Sequence, residues 1–341
     1  MPLKLTIVPG DHQIDIADHQ TVLEAAIAAG LMLPYGCRDG VCGKCKGQVL
    51  SGRVDHGKAG ADTLTEADRA AGLALFCCAT AQEDLVIECR GVTRADDIPV
   101  RKLPCRVETM TRAAPDVMIL KLRLPASEQF TFRAGQYIDI LLPGNKRRSF
   151  SIANPPAEAS HIELHIRQVP DGMFTTRVFE QMQVREVLRF EGPLGSFYLR
   201  EDSDAPIILL AGGTGFAPIK GLIEHAIARG FTRPMTLYWG SRDRAGLYMA
   251  GLAGHWAATL PWFKFVPVLS DMSPEDRWDG RTGLVHEAVI ADFADLSAHQ
   301  VYACGAPPMI DAARRDFGAR CALPDDQFFA DAFTYATDSQ P

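Results

Sequence analysis

Residues 36–47 read Gly-Cys37-Arg-Asp-Gly-Val-Cys42-Gly-Lys-Cys45-Lys-Gly, a Cys-x4-Cys-x2-Cys run. Three thiols at this spacing, with a fourth from elsewhere, suit a [2Fe–2S] cluster. Two ferric ions bridged by sulfide take four thiolates, and one loop supplies three of them if it bends tightly and turns its amides toward the sulfurs. Gly36, Gly40 and Gly43 permit such a bend because glycine tolerates positive φ. Cys77 and Cys78 are both candidates for the fourth ligand. A structural zinc site favours paired Cys-x2-Cys units, and only one such pair is present. Six of the nine cysteines (37, 42, 45, 77, 78 and 89) precede residue 90. An odd, uneven count speaks for metal binding over a disulfide framework and, with it, for a reducing compartment.

A second constellation is Arg148-Ser149-Phe150-Ser151, just past an expected strand, followed by Gly172-Met173-Phe174-Thr175. A guanidinium forks onto a pyrophosphate, an aromatic packs on a flat ring system, and a hydroxyl bonds the ring edge. The second segment is expected to open a helix whose free N–H groups face phosphate. His165 and Ile166 lie between the two segments and join the expected cofactor-binding set. Next, Gly212-Gly213-Thr214-Gly215-Phe216-Ala217-Pro218 links an apolar strand to a helix, so its backbone can approach a dinucleotide pyrophosphate. Pro218 suits the first helical turn because its missing N–H needs no partner there. After the following strand come Ser241 and Arg242, which suit a ribose 2′-phosphate, and Asp243, which suits a free 2′-hydroxyl. NADH and NADPH both remain open. Cys304-Gly305 closes a later strand, and Asp331 and Phe333 stand near the end.

Arg148-x-Phe150-Ser151 resembles the Arg-x-Tyr-Ser signature of the ferredoxin–NADP reductase superfamily, with Phe150 in place of the usual Tyr. Gly172–Thr175, the Gly-x-Gly-x-x-Pro turn ending at Pro218, and Cys304-Gly305-x-x-x-Met309 are similar to that superfamily's later segments. The cysteine loop resembles plant-type ferredoxins, which place an acid seven positions after the fourth ligand. Asp84 stands in that relation to Cys77, so the resemblance selects Cys77. Cys78, Cys89, Cys105 and Cys321 then read as small buried side chains. The resemblance further implies FAD, a cysteine (Cys304) against the nicotinamide, and an aromatic (Phe333) over the flavin with Asp331 nearby. Ser151, Cys304, Asp331 and Phe333 are thus the expected catalytic residues. In plant members the aromatic ends the chain, whereas eight residues follow Phe333 here.

In motif order the chain resembles reductase components of bacterial multicomponent oxygenases of the benzoate dioxygenase type, and reductases of iron–sulfur sugar dehydrases (the CDP-6-deoxy-glucoseen reductase type). Segments 148–156 and 238–242 favour the second. The implied activity is hydride transfer from NAD(P)H to FAD, then single electrons through the cluster to a partner protein.

The elements that must position these residues follow from patterning. Period-2 apolar residues at 3–8 and 13–16 around Pro9-Gly10-Asp11 predict a hairpin. Thr21-x-x-Glu24 predicts a capped helix stopping at Gly30. A second short helix is expected at 65–71, and a closing strand through Leu85, Ile87 and Cys89. Residues 1–91 thus read as a small β-rich unit with one main helix, which the resemblance makes a β-grasp ferredoxin domain, and 92–101, poor in apolar side chains, as a linker. Alternating stretches at 119–124, 137–142 and 162–166 predict an antiparallel barrel or sandwich over 102–202, which the resemblance makes an FAD-binding barrel. Continuous apolar strands at 207–211, 235–239, 263–269 and 301–304 predict a doubly wound NAD(P)H domain over 203–341. A net charge of −7 without a Lys/Arg run excludes nucleic acid as a main partner. No apolar run reaches membrane-spanning length and no basic-then-apolar leader opens the chain, so a cytoplasmic protein is expected.

Overall fold

The computed structural model describes residues 2–36, 38–41, 43–89, 92–94 and 98–333. The chain divides into two units, Met1–Pro99 and Val100–Pro341. In the first, strands Leu3–Val8 and His12–Ile16 form the expected hairpin, Leu3 opposite Ile16. Leu5 and Ile7 point into the core, fully buried. Helix Val22–Ala28 starts with the expected reciprocal cap. Glu24 N donates to Thr21 Oγ1 at 3.2 Å, and Thr21 N donates to Glu24 Oε2 at 3.0 Å. Such a cap stabilises a helix by about 1 kcal/mol relative to alanine. The five-stranded sheet runs His12–Ile16, Leu3–Val8, Leu85–Glu88, Lys46–Ser51, Leu73–Leu75, and its first and last long strands pair in parallel. That pairing is the β-grasp arrangement. Asp84 has a structural task in it: its Oδ1 accepts from Lys4 N at 2.8 Å, tying the parallel pair at its start.

Residues 92–101 are not plain linker. Thr93–Arg94 pairs with Leu31–Met32, and Arg101 opens the 14-residue strand Arg101–Ala114. Backbone ladders need no apolar side chains, so this stretch escapes a hydrophobicity pattern.

The second unit opens with a six-stranded antiparallel sheet. Its order is Arg147–Ser151, Tyr137–Leu141, Val187–Leu194, Arg101–Ala114, Val117–Arg123, His161–Arg167. A bridge between Ile152 and Leu164 brings the two edges together, and Ala153 N donates to Glu163 O at 2.8 Å, so the sheet closes into a barrel. Val107, Leu120, Ile138, Leu164 and Phe190 fill it. The parallel sheet that follows runs Arg281–Thr282, Phe263–Leu269, Met235–Ser241, Ile207–Gly212, Gln300–Gly305, Phe328–Ala332. Alternation along Ile207–Gly212 serves two layers. Ile207, Leu209 and Ala211 pack with Ile219, Leu222 and Ile223 of helix Phe216–Arg229. Ile208 and Leu210 pack with Val289 of helix Val285–Asp292 and Phe317 of helix Pro307–Cys321. Helices on both faces make the domain doubly wound. The chain turns from one side of the sheet to the other between Ile207–Gly212 and Gln300–Gly305, where such folds take their ligands.

Candidate functional site

In the first unit, Cys37 and Cys42 lie outside the described residues. The other two expected ligands come together: Cys77 N donates to Cys45 Sγ at 3.4 Å, and both thiols are buried. Cys78 Sγ lies 3.6 Å from Cys77 Sγ. Contacts from the Cys45 and Cys78 sulfurs hold the Cys77 thiol down to about 3 against the opposing effect of burial, with the Gly40 N–H and the Lys58 charge adding to them. Burial alone pushes Cys89 up to about 11 and Cys105 up to about 12, so these two are inert thiols. Gly40, at φ +77°, sits where a Cβ would lie 2.7 Å from Cys78 Sγ, so the loop backbone crowds the sulfurs. Clustered soft donors beneath an inward-turned amide fit an iron–sulfur group.

In the barrel, strand alternation divides the expected flavin residues. Arg148 and Phe150 face one side, opposite Ile140 and Ile138, while Ser149 and Ser151 face the other. Ser149 Oγ donates to the buried Asp139 at 2.6 Å. The Phe150 and Phe174 rings, 5.4 Å apart, join this strand to the start of helix Met173–Glu180. That helix begins at Gly172 without a side-chain cap. An uncapped helix start beside a half-buried arginine strand fits a pyrophosphate. Thr175 Oγ1 serves the loop instead, bonding Val169 and Gly172 carbonyls at 3.2 and 3.1 Å. Phe174 and Ile166 point into the barrel core, which leaves their backbones alone to face a ligand.

The glycine turn follows strand Ile207–Gly212 directly. A Cβ on Gly215 would stand 2.0 Å from Cys304 O, and one on Gly213, at φ +54°, 2.8 Å from Arg167 Nη1. The bare backbone of the turn thus packs directly on strand Gln300–Gly305 and under the Arg167 side chain, the close packing for which a dinucleotide turn uses glycine. Thr214 and Pro218 are buried in the turn and the helix start. Phe216 is a core residue: its ring stacks on Trp239 at 3.9 Å and 9°, and Trp239 Nε1 donates to Gly213 O at 3.0 Å. At the next strand end Ser241 is half-buried and Arg242 exposed. Asp243 Oδ1 accepts from Gly246 N at 2.8 Å, closing its own turn.

The four residues expected to be catalytic converge at the sheet's switch point. Cys304 and Asp331 are register partners on adjacent strands. Ser151 Oγ, from the barrel, donates to Asp331 Oδ2 at 3.4 Å. Phe333 N donates to Gly305 O at 2.8 Å. Ser151, Cys304 and Asp331 are each less than a tenth exposed.

His165 is not turned to a ligand. Its Nε2 lies 3.0 Å from Glu163 Oε1 and its Nδ1 2.8 Å from Tyr248 Oη. Lys220 Nζ, also buried, lies 3.0 Å from Glu163 and 2.8 Å from Glu224. Burial would raise the Glu163 carboxyl, but the His165 contact and the Lys220 charge hold it down to about 2. Burial lowers His165 and raises Tyr248, so both stay neutral. Glu163, Lys220, Tyr248 and Trp239 escape motif reading. The available signals were polar residues at period 2 in His-Ile-Glu-Leu-His-Ile-Arg and one lysine inside an apolar helix face.

Residues 5–82 match the family described as 2Fe-2S iron-sulfur cluster binding domain, 104–198 the oxidoreductase FAD-binding domain, and 209–315 the oxidoreductase NAD-binding domain. Fold and site define an iron–sulfur flavoprotein oxidoreductase. The chain is 41% identical over 313 residues to the CDP-6-deoxy-L-threo-D-glycero-4-hexulose-3-dehydrase reductase of Yersinia pseudotuberculosis serotype I (strain IP32953), a match covering 92% of this chain and 93% of that one. It is 37% identical over 315 residues to reductase component 1 of terephthalate 1,2-dioxygenase from Comamonas sp., covering 89% and 92%. Among solved structures it resembles the Amycolatopsis cytochrome P450 reductase GcoB, with a TM-score of 0.83 and 36% identity over 98% of this chain and all of that one. The chain belongs to this family of NAD(P)H-dependent electron-transfer reductases, which join a [2Fe–2S] domain to FAD- and NAD-binding domains. Among the described residues, no helix is long and apolar enough to cross a membrane.

Proposed function

We propose that the chain takes reducing equivalents from NAD(P)H at the cleft around Ser151, Cys304, Asp331 and Phe333 and delivers single electrons to a separate cytoplasmic iron–sulfur sugar dehydrase. The carrying observation is the meeting of Ser151 from the barrel with Cys304 and Asp331 from the parallel sheet. When bound, the nicotinamide supplies a hydride, the flavin splits the pair into single electrons, and the cluster relays them.

The residues do the holding. Arg148 and the amides at Gly172–Thr175 take the flavin's pyrophosphate, with Phe150 packing beside it. The turn Gly212–Pro218 takes the nucleotide's pyrophosphate, and Ser241 and Arg242 its adenosine end. Ser151 Oγ, its proton directed at Asp331, presents a fixed hydroxyl at the reacting edge. Cys304, wholly buried, adds a small apolar wall that keeps water out. Phe333, tied to Gly305 by its backbone, is the residue that would cover the flavin face and give way to a nicotinamide. Cys37, Cys42, Cys45 and Cys77 hold the cluster. In domain terms, 1–91 is the ferredoxin part, 92–101 its connection, 102–202 the flavin part and 203–341 the nucleotide part.

The dehydrase is favoured by the Yersinia relative, whose name makes it the reductase of a CDP-hexulose dehydrase. A bacterial multicomponent mono- or dioxygenase is the acceptor in the second reading, favoured by the Comamonas relative. The cytoplasmic setting is supported by the nine cysteines, six of them gathered before residue 90, a distribution that suits metal binding in a reducing compartment better than a disulfide framework. A visible spectrum before and after NADH or NADPH tests the reading: flavin and cluster bands should bleach with at least one nucleotide. A colourless protein, or bands that neither nucleotide alters, would refute it. Cys42→Ser should abolish cytochrome c reduction and spare ferricyanide reduction; survival of both activities would remove the cluster from the path. Turnover by each purified partner enzyme then decides between dehydrase and oxygenase.

A further inference from the structure

Strand His161–Arg167 carries four polar residues on one face, His161, Glu163, His165 and Arg167, and the last three meet the nucleotide-binding lobe. Glu163 meets Lys220 at 3.0 Å. His165 meets Tyr248 at 2.8 Å. The Arg167 guanidinium lies over Gly213, where a Cβ would be 2.8 Å from it. The opposite face, Ile162, Leu164 and Ile166, is fully buried in the barrel core. Period-2 alternation therefore makes one strand serve two neighbours.

The hydrogens in this row have only one arrangement. Glu163 faces the Lys220 ammonium and is ionised, so it only accepts. His165 Nε2 must then carry the proton that bonds Glu163. Its Nδ1 is left as an acceptor, so the Tyr248 hydroxyl must donate. The Tyr248 ring meets Trp239 edge-on at 5.3 Å and 90°. Trp239 stacks on Phe216 and donates its indole N–H to Gly213 O. The glycine turn is held by Trp239 through this bond, with the Arg167 guanidinium packed over Gly213.

We infer that Tyr248, oriented by His165, is a positioning residue: through Trp239 it sets the pose of the turn 212–216 and with it the placement of the nucleotide against the flavin barrel. This rests on the reading that the turn carries the nucleotide. An apolar contact between the lobes would let them slide. A row of directional bonds with one hydrogen arrangement fixes their register.

The test uses the cofactor-loaded full chain with Tyr248→Phe, which keeps the ring and removes only the hydroxyl. Without nucleotide, amide exchange at 212–216 should accelerate about tenfold, the loss of one hydrogen bond. Exchange along Phe263–Leu269 and the global unfolding midpoint should hold. Flavin bleaching by saturating NAD(P)H should slow about tenfold or more, as misplaced reactants do, and its deuterium isotope effect should change. Trp239→Phe should reproduce both effects, and the double variant should be no slower than the worse single one. Unchanged exchange at the turn, or acceleration in every strand alike, would overturn the inference. If neither nucleotide bleaches the wild-type flavin, the functional reading fails, while the exchange result still judges the grip on the turn.

Discussion

Strands Ile207–Gly212 and His161–Arg167 are both buried along nearly their whole length, and they are built in opposite ways. The first is apolar throughout and packs helices on both faces. The second alternates, with an apolar face in the barrel and a polar face of Glu163, His165 and Arg167 against the nucleotide lobe. Polar alternation normally marks a strand half in water. Here it marks a strand half in another domain, its polar atoms matched by Lys220 and Tyr248. Burial bought with apolar area tolerates small shifts; burial of matched polar groups does not, because each orphaned atom is costly.

Removing one partner should break that contrast most severely. Lys220→Met leaves the Glu163 charge buried and should cost about 3–5 kcal/mol by denaturant titration. Adding Glu163→Gln should recover much of that loss; if the double variant is no better than Lys220→Met, the buried charge was not its source. On the apolar strand, Leu209→Ala should cost about 2–5 kcal/mol through the cavity it leaves, with no rescue by any charge change. pH sharpens the comparison. The Glu163 carboxyl is held down from 4.5 to about 2, so its contribution is complete above pH 4.5 and fades as pH falls toward 2. The advantage of wild type over Glu163→Gln should shrink across that window, whereas the deficit of Leu209→Ala should not follow it. The charged or titratable groups facing Glu163 are Lys220, His165, Lys121 and, through Lys220, Glu224. Lys121 reaches the same carboxylate at 3.7 Å but is 43% exposed. Lys121→Ala should therefore cost less than about 1 kcal/mol, which separates burial from mere proximity.

The two strands also explain what was legible. Continuous apolar runs separated by helical stretches mark the parallel strands because a sheet covered on both faces buries every side chain. The Thr21 and Thr65 caps are legible because both partners lie within one turn. The pairing of Thr93–Arg94 with Leu31–Met32 is not, since a two-residue backbone ladder leaves no apolar pattern in a stretch that reads as linker. Helix Ala250–Thr259 carries glycines and too few buried residues to show a stripe. At the site, Ser151, Cys304 and Asp331 each belong to a segment that local motifs mark singly, and the fold brings the three together. The His165–Tyr248 bond spans 83 residues of sequence, and no local pattern carries such a pairing.

All four tryptophans, at 239, 256, 262 and 278, lie in the nucleotide lobe, with none in the barrel or the first unit. Trp239, wholly buried against Phe216 with its N–H on the glycine turn, is the indole nearest the proposed nucleotide site. The protein therefore carries its own optical probe. Tryptophan emission originates in one lobe alone, and a shift in its colour on adding the oxidised nucleotide reports on the surroundings of those indoles without a label.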